Sequence, residues 1–330
     1  MAGKQWVHVL SILSILAVFA VRPGLAAEKL TVAYGAIGGN IAPIWVTKER
    51  GLFDKYGLDV TLIYLASSAQ VAPALISGDI QIAETAGAGI IDARMAGAGI
   101  KMVLAYSNYL RFHLYAQKDI RSVADLKGKK AAITRFGSGV DLAMQIILKE
   151  AGLKMGTDVG IIQTRSVPEI LASVASGVVQ AGLLAPPSSF KADQLGLRLL
   201  VDTWKYKFPY ILAGVAVSDN YLKARPDSVR AFVKAFVEGI AVSKTDKEYT
   251  KKVIGKYTKT TEGDILEKTY QEYEPIFEAI PYVPAAAVKA VLDQRAPTIP
   301  AAKTANPEDF FDNRFVKELD ESGFIRSLYR

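Results

Sequence analysis

The chain has 330 residues, enough to bury a large core and more than the roughly 100 to 200 residues of a usual domain, so two units are expected. Half of the residues are hydrophobic and 22% are charged, which excludes disorder along the length of the chain. A formal charge of +7 spread over scattered lysines argues against a nucleic-acid partner, and the lack of cysteine excludes disulfides, cysteine metal sites, cysteine nucleophiles and a lipid-anchoring cysteine.

Residues 1–26 read as an export leader. Lys4 precedes an apolar run from Val7 to Val21, and Arg22-Pro23 leads into the small-residue site Gly24-Leu25-Ala26, with cleavage expected near Ala26. The run is short for a membrane span and carries His8, Ser11 and Ser14; an uncleaved anchor is the alternative. Removing Lys4 and Arg22 takes the charge from +7 to +5, and the expected location is the periplasm.

Glu28 to Ala36 alternates as a first strand, and Ile37-Gly38-Gly39-Asn40 makes a polar turn before a helix through Lys48, with Asn40 as its cap and Pro43 in its first turn. Gly51 ends that helix. A second strand, Leu58 to Leu65, runs through Ala66-Ser67-Ser68 into a helix that finishes at Ser77-Gly78. A third, Asp79 to Ala83, opens through Glu84-Thr85-Ala86-Gly87 into a helix closed near Gly97. Strand, polar turn and helix repeated in this way predict an α/β fold with mainly parallel sheets flanked by helices.

The plan then recurs. An offset of 99 pairs Asp59-Val60 with Asp158-Val159, Ser67 with Ser166, Ser77-Gly78 with Ser176-Gly177 and Gln81 with Gln180, which predicts two similar lobes. Leu110–Gln117 and Tyr210–Val217 flank the second lobe and are the candidate crossings between lobes, while Asp119–Lys130 opens the second lobe. Beyond Ser218, residues 226–244, 264–277, 285–295 and 307–322 have helical periodicity and are expected to pack against the first lobe. The expected division is a leader at 1–26, a first lobe at 27–110, a second lobe at 111–214, and a mostly helical return to the first lobe at 215–330.

The stretch from Ala131 to Gly152 carries the clearest binding signal. A short apolar strand enters a turn in which Gly137 and Gly139 relax the backbone, and Ser138 with Asp141 three residues on fits a capping box. Such a turn presents unbonded N–H groups and the positive end of a helix dipole, which suit an anionic or strongly polar small molecule. Arg135, directly before the glycine turn, could pair with a carboxylate or sulfonate, or lie solvated beside the mouth.

The segments RGLFDKYGLDV (50–60), ALISGDIQIA (74–83), DLKGKKAAITRFGSGVD (125–141), ILASVASGVVQAGLLAPP (170–187) and PEDFFDNRFVKELDESGFI (307–325) resemble the ABC-transporter solute-binding proteins of the nitrate, sulfonate, taurine and thiamine-precursor type. The resemblance implies a two-lobed type II periplasmic binding fold that closes on a small solute and delivers it to a membrane permease, as a monomer and without a cofactor or metal. It places ligand contacts in turns at the carboxyl ends of strands: Gly39, Asn40, Ser67, Ser68, Thr85, Ala86, Gly87, Arg135, Gly137, Ser138, Gly139, Pro187 and Ser188, with Asn108 added at the crossing. The expected ligand is a small organic anion of sulfonate or carboxylate type.

No catalytic residue is expected. The sequence holds no GxSxG, HExxH or Walker motif, and His113 is the one histidine beyond the leader, set in an apolar strand where a structural role fits better. Gly87-Ala88-Gly89 begins like a dinucleotide fingerprint but has Asp92 where the third glycine belongs. An enzyme related to thiamine-pyrimidine synthesis and a periplasmic sensor docking on a receptor kinase remain the alternatives.

Overall fold

The computed structural model describes residues 27–330; the expected leader at 1–26 lies outside the described residues. Ten strands form two five-stranded sheets. The first has the order β2 (Leu58–Tyr64), β1 (Glu28–Tyr34), β3 (Ile82–Thr85), β10 (Pro209–Ser218), β4 (Ile100–Tyr109). The second has the order β7 (Gly160–Gln163), β6 (Lys130–Ile133), β8 (Ala181–Leu184), β5 (His113–Ala116), β9 (Arg198–Asp202). In each, three strands run parallel and the fourth is antiparallel to both neighbours.

The two antiparallel strands are those entered from the crossings. β5 follows residues 110–112, and β10 follows residues 203–208. Tyr210–Val217 therefore belongs to an interior strand of the first sheet rather than to a crossing. Its burial on both faces explains the nearly unbroken apolar run. The crossing itself is tied by Thr203, whose Oγ1 accepts from the Phe112 N–H at 2.8 Å and donates to the Leu110 carbonyl at 3.2 Å.

The internal repeat holds at the level of single hydrogen bonds. Gln81 accepts from the Thr31 N–H at 2.9 Å and donates to the Gly78 carbonyl at 3.1 Å; Gln180 accepts from the Lys130 N–H at 3.1 Å and donates to the Gly177 carbonyl at 3.4 Å. Gly78 and Gly177 both take left-handed backbone angles, φ +83° and +78°, where a side chain would be strained.

Some element boundaries shift for local reasons. β3 starts at Ile82 because Asp79 is held in the preceding turn by the Ser77 hydroxyl at 2.7 Å, which leaves Glu84 and Thr85 inside the strand rather than in a turn. The helix expected over 264–277 stops at Tyr273 and tightens into a 3₁₀ turn at Glu274–Ile276, where Pro275 lacks an N–H and crowds the previous turn. The helix expected over 307–322 splits because Phe311 pairs with Met102 at the free edge of β4. That pairing, with the Asp312 N–H donating to the Met102 carbonyl at 2.8 Å, covers an edge that would otherwise recruit another chain.

One apolar cluster continues from one face of the first sheet into the second lobe; the other joins the opposite face of the first sheet to the helices after Ser218. The helix Pro226–Thr245 buries Phe232, Phe236 and Ile240 there and crosses the helix Ala42–Glu49 at Gly239. A Cβ at position 239 would overlap Thr47 Oγ1 and lie 2.9 Å from its Cβ, so this close approach admits only glycine. Among the described residues no helix is long and apolar enough to cross a membrane.

Gly239→Ala tests this packing. Helix propensity alone would stabilise the variant by up to about 1 kcal/mol. The overlap with Thr47 instead predicts a net loss of about 1–3 kcal/mol, read as a lower melting temperature; a higher one would show that the two helices yield.

Candidate ligand cavity between the lobes

The carboxyl ends of the parallel strands of both sheets point into a common cleft, where open α/β sheets gather their binding groups. The cleft holds a cavity of about 60 Å³. Its wall is built strand by strand: Gly35, Ala36 and Ile37 after β1; Ser67 and Ser68 after β2; Glu84, Thr85 and Ala86 at the end of β3; Ser138, Gly139 and Val140 after β6; Arg165, Ser166 and Val167 after β7; Ala185 after β8. Phe112 and Leu212 close it from the crossing side.

The lobes meet around this space. The Gly39 N–H donates to the Pro186 carbonyl at 2.9 Å, and the Tyr64 hydroxyl, from the wall itself, donates to the Arg165 carbonyl at 2.6 Å. Lys191 stands 3.7 Å from Glu262 across the same divide. On the crossing, Arg111 bridges the lobes, 3.0 Å from Glu272 and 3.3 Å from Asp202, and His113 Nε2 lies 3.8 Å from each carboxylate. Burial raises Glu272 to about 7 although Arg111 pulls the other way, and burial lowers His113.

Of the residues expected from sequence, Asn40, Ser67, Ser68, Thr85, Ala86, Ser138 and Gly139 stand in the wall. The others stand outside it. Gly39 is used in the lobe contact, and Gly87 is pressed against Ile211, whose Cβ would be 2.9 Å from an added Cβ. Gly137 supplies the left-handed turn at φ +78°, and its N–H goes to Asp141 at 2.8 Å. Asn108 is buried in β4, while Pro187 and Ser188 begin the helix Ser188–Gln194 beyond the cavity wall. Arg135 is half-buried, with an unpartnered Nε outside the wall.

Hydrogen bonding separates the two serines that the internal repeat pairs. Ser166 caps its helix by accepting from the Glu169 N–H. Ser67 adopts φ +73°, caps nothing, and buries an Oγ with no partner. A serine held in that strained region usually marks a functional constraint. Ser138 resembles Ser166: its hydroxyl accepts from the Asp141 N–H at 3.2 Å and donates to the Arg135 carbonyl at 2.7 Å, and its backbone N–H also donates to the Arg135 carbonyl, at 3.3 Å. The Asp141 carboxylate reaches Gly137 rather than the cap residue, which makes the expected box one residue wider.

Glu84 was not singled out from sequence. It is fully buried, its Oε1 accepts from the Tyr106 hydroxyl at 2.9 Å, and its Oε2 has no partner. Burial raises its carboxyl to about 8, so it is protonated at neutral pH. The signal was present in IQIAETAG: one acid inside an apolar strand. Among the described residues there is no acidic or histidine cluster that could hold a metal ion.

The architecture, two α/β lobes joined by crossing strands around a cleft, is that of the periplasmic solute-binding proteins. SsuA of Xanthomonas axonopodis pv. citri, an alkanesulfonate-binding protein solved with MOPS, superposes with a TM-score of 0.72 at 20% identity over 87% of this chain and all of that one. The nitrate-binding protein NrtA of Synechocystis PCC 6803 gives 0.76 at 14% identity, over 92% of this chain and 91% of that one. Residues 39–248 match the family described as NMT1/THI5 like, and the chain belongs to that family. Its relatives include the riboflavin-binding protein RibY of Chloroflexus aurantiacus, 25% identical over 65% of this chain; that match spans 62% of RibY. A putative aliphatic sulfonates-binding protein of Escherichia coli is 26% identical over 92% of this chain and 90% of its own length.

The burial of Glu84 sets a pH dependence. Its ordinary value is 4.5, so between about 4.5 and 8 the native chain holds a proton that the unfolded chain has released, and stability falls as pH rises through that window. Glu84→Gln keeps the shape and removes the titration. The variant's melting temperature should fall less steeply from pH 5 to 8 and exceed that of the parent at pH 8. Parallel curves would mean that Glu84 is charged in the native state.

Proposed function

We propose that the chain is the solute-binding component of an ABC-type importer, a monomer of the periplasm that captures a small organic anion and presents it to a membrane permease without transforming it. On this reading residues 27–109 and 209–330 form one lobe and 110–208 the other, and the lobes close about the crossing segments. The observation that carries it is the cavity at the meeting of six strand ends, walled by helix starts from both lobes and sealed by hydrogen bonds across the divide. Positive helix ends favour a negative group on the solute. The names of its relatives and structural neighbours support binding rather than catalysis.

The ligand contacts on this reading are Asn40, Ser67, Ser68, Thr85, Ala86 and the Gly139 backbone, with Ser138 shaping the turn beside them, joined by Glu84, Val140 and Val167. A thermal-shift screen of small sulfonates, carboxylates, nitrate and thiamine precursors tests it. A solute at 100 times its dissociation constant should stabilise by about 2.7 kcal/mol, a measurable rise in melting temperature. A shift produced only by uncharged compounds, or only by riboflavin-sized ones, would contradict it.

Tyr64→Phe tests closure separately. Losing the hydroxyl bond to the Arg165 carbonyl should weaken binding of the identified solute about twofold to tenfold. Unchanged affinity in calorimetry would remove that bond from the closing contacts.

A further inference from the structure

Beside the crossing lies a charge cluster that the cavity does not use. None of Arg111, His113, Asp202 and Glu272 stands in the cavity wall. Arg111 belongs to the crossing, His113 opens β5, Asp202 ends β9 of the second lobe, and Glu272 comes from the helix Gly263–Tyr273 in the helical return to the first lobe. Their polar atoms converge: Arg111 Nε donates to Glu272 Oε1 at 3.0 Å and its Nη1 to Asp202 Oδ1 at 3.3 Å, and His113 Nε2 lies 3.8 Å from both of those oxygens. The side chains of Arg111, His113 and Glu272 are only 15%, 8% and 9% exposed, so water screens them little. From the helix Ser188–Gln194, Asp193 also faces the imidazole, bonded to the Tyr115 hydroxyl at 2.7 Å, while Lys191 is turned to Glu262. On β9, Arg198 is bonded to the Lys118 carbonyl, and β8 brings no charge. Tyr273 adjoins Glu272 with a buried, unpartnered hydroxyl, and Lys207 stands over the same Trp204 ring as Arg111.

With Glu272 and Asp202 both ionised, the cluster sets two negative charges against one guanidinium and is one positive charge short in a place largely closed to water. When the lobes part, Glu272 leaves with the first lobe, and Arg111 and Asp202 remain as a balanced pair. We propose that this cluster is a proton-linked latch: closing the lobes takes up one proton at the joint, and opening them releases it. The inference rests on the reading of two lobes that close, and it makes closure sensitive to pH from outside the solute site. The proton sits on Glu272. Burial raises that carboxyl from 4.5 to about 7 against the pull of Arg111, and burial lowers His113, which stays neutral. The uncharged imidazole lies against both carboxylates without adding the charge that would make the proton unnecessary. Once opening returns Glu272 to water, its carboxyl moves back toward 4.5. The closed form therefore gains its full advantage below about 4.5 and loses it as pH rises through about 7.

The chain has no cysteine, so Gln70→Cys on the first lobe and Lys149→Cys on the second, both exposed positions, take spin labels at those two sites alone. Pulsed electron resonance then gives the distance between the lobes, without solute, at pH 5.5 and at pH 8. The ratio of closed to open distances should be about threefold to thirtyfold higher at pH 5.5. Glu272→Gln mimics the protonated carboxyl, and in that background the ratio should stay at the parent's low-pH value at both pH values. Glu84 titrates in both proteins and cancels in the comparison. An NMR titration of the parent adds a readout that needs no variant to fold: of the two imidazoles, His8 and His113, that of His113 should shift with an inflection near about 7 as Glu272 ionises beside it. A distance distribution that ignores pH, or a pH response that survives in Glu272→Gln, would overturn the latch while leaving closure in place. A distribution that also ignores every solute of the thermal-shift screen would overturn closure itself. A His113 signal with no inflection in that range would overturn the assignment of the proton to Glu272.

Discussion

A carboxyl group buried at the end of a central strand must be paired or remain neutral, and Glu84 imposes that condition on the cleft between the lobes. Desolvation outweighs the pull of the Tyr106 hydroxyl and of the Gly35 backbone, which is why it holds its proton to about pH 8. The surrounding sheet fixes it there. Glu84 sits opposite Tyr34 on β1 and Val215 on β10, so it cannot swing to solvent without breaking the middle of the sheet. Thr85 and Ser67 lie on the same wall, their unpartnered hydroxyl oxygens buried within it.

The crossing between lobes is built from a different balance. Arg111 sits between Glu272 of one lobe and Asp202 of the other and packs its guanidinium 4.9 Å from the centre of the Trp204 ring, while the Thr203 hydroxyl ties the two crossing segments by accepting from the Phe112 N–H and donating to the Leu110 carbonyl. Its hydrogen bonds hold the two segments side by side, whereas the contacts at the cleft mouth are few: one hydroxyl, one N–H and one long ion pair.

Much of this was legible in the sequence. The repeat at an offset of 99 followed from Gln81 and Gln180, Ser77-Gly78 and Ser176-Gly177, because each pair performs the same turn-closing task and so keeps the same side chains. The resemblance to solute-binding proteins and the two-lobed α/β architecture were borne out. What the sequence hid depends on contacts between distant segments. The interior position of β10 is a matter of pairing across more than a hundred residues, and local apolar character does not distinguish an interior strand from a crossing. The site was half legible for the same reason. Turn residues such as Ser67 and Ser138 announce themselves by type, but which hydroxyl is spent on a cap and which faces the cavity is decided by backbone angles. Arg135 drew attention as the charge beside the glycine turn and stands outside the wall, while Glu84, within a strand, lines it.

The most direct measurement is a crystal structure of the protein with its solute, obtained by soaking or carried through purification. The solute should lie between the end of β3 and the starts of the helices Gly139–Glu150 and Val167–Ala175, with Glu84 Oε2 and Ser67 Oγ both within hydrogen-bond distance of it. A solute bound elsewhere, or one in this cleft that leaves Glu84 Oε2 unpartnered, would contradict the account.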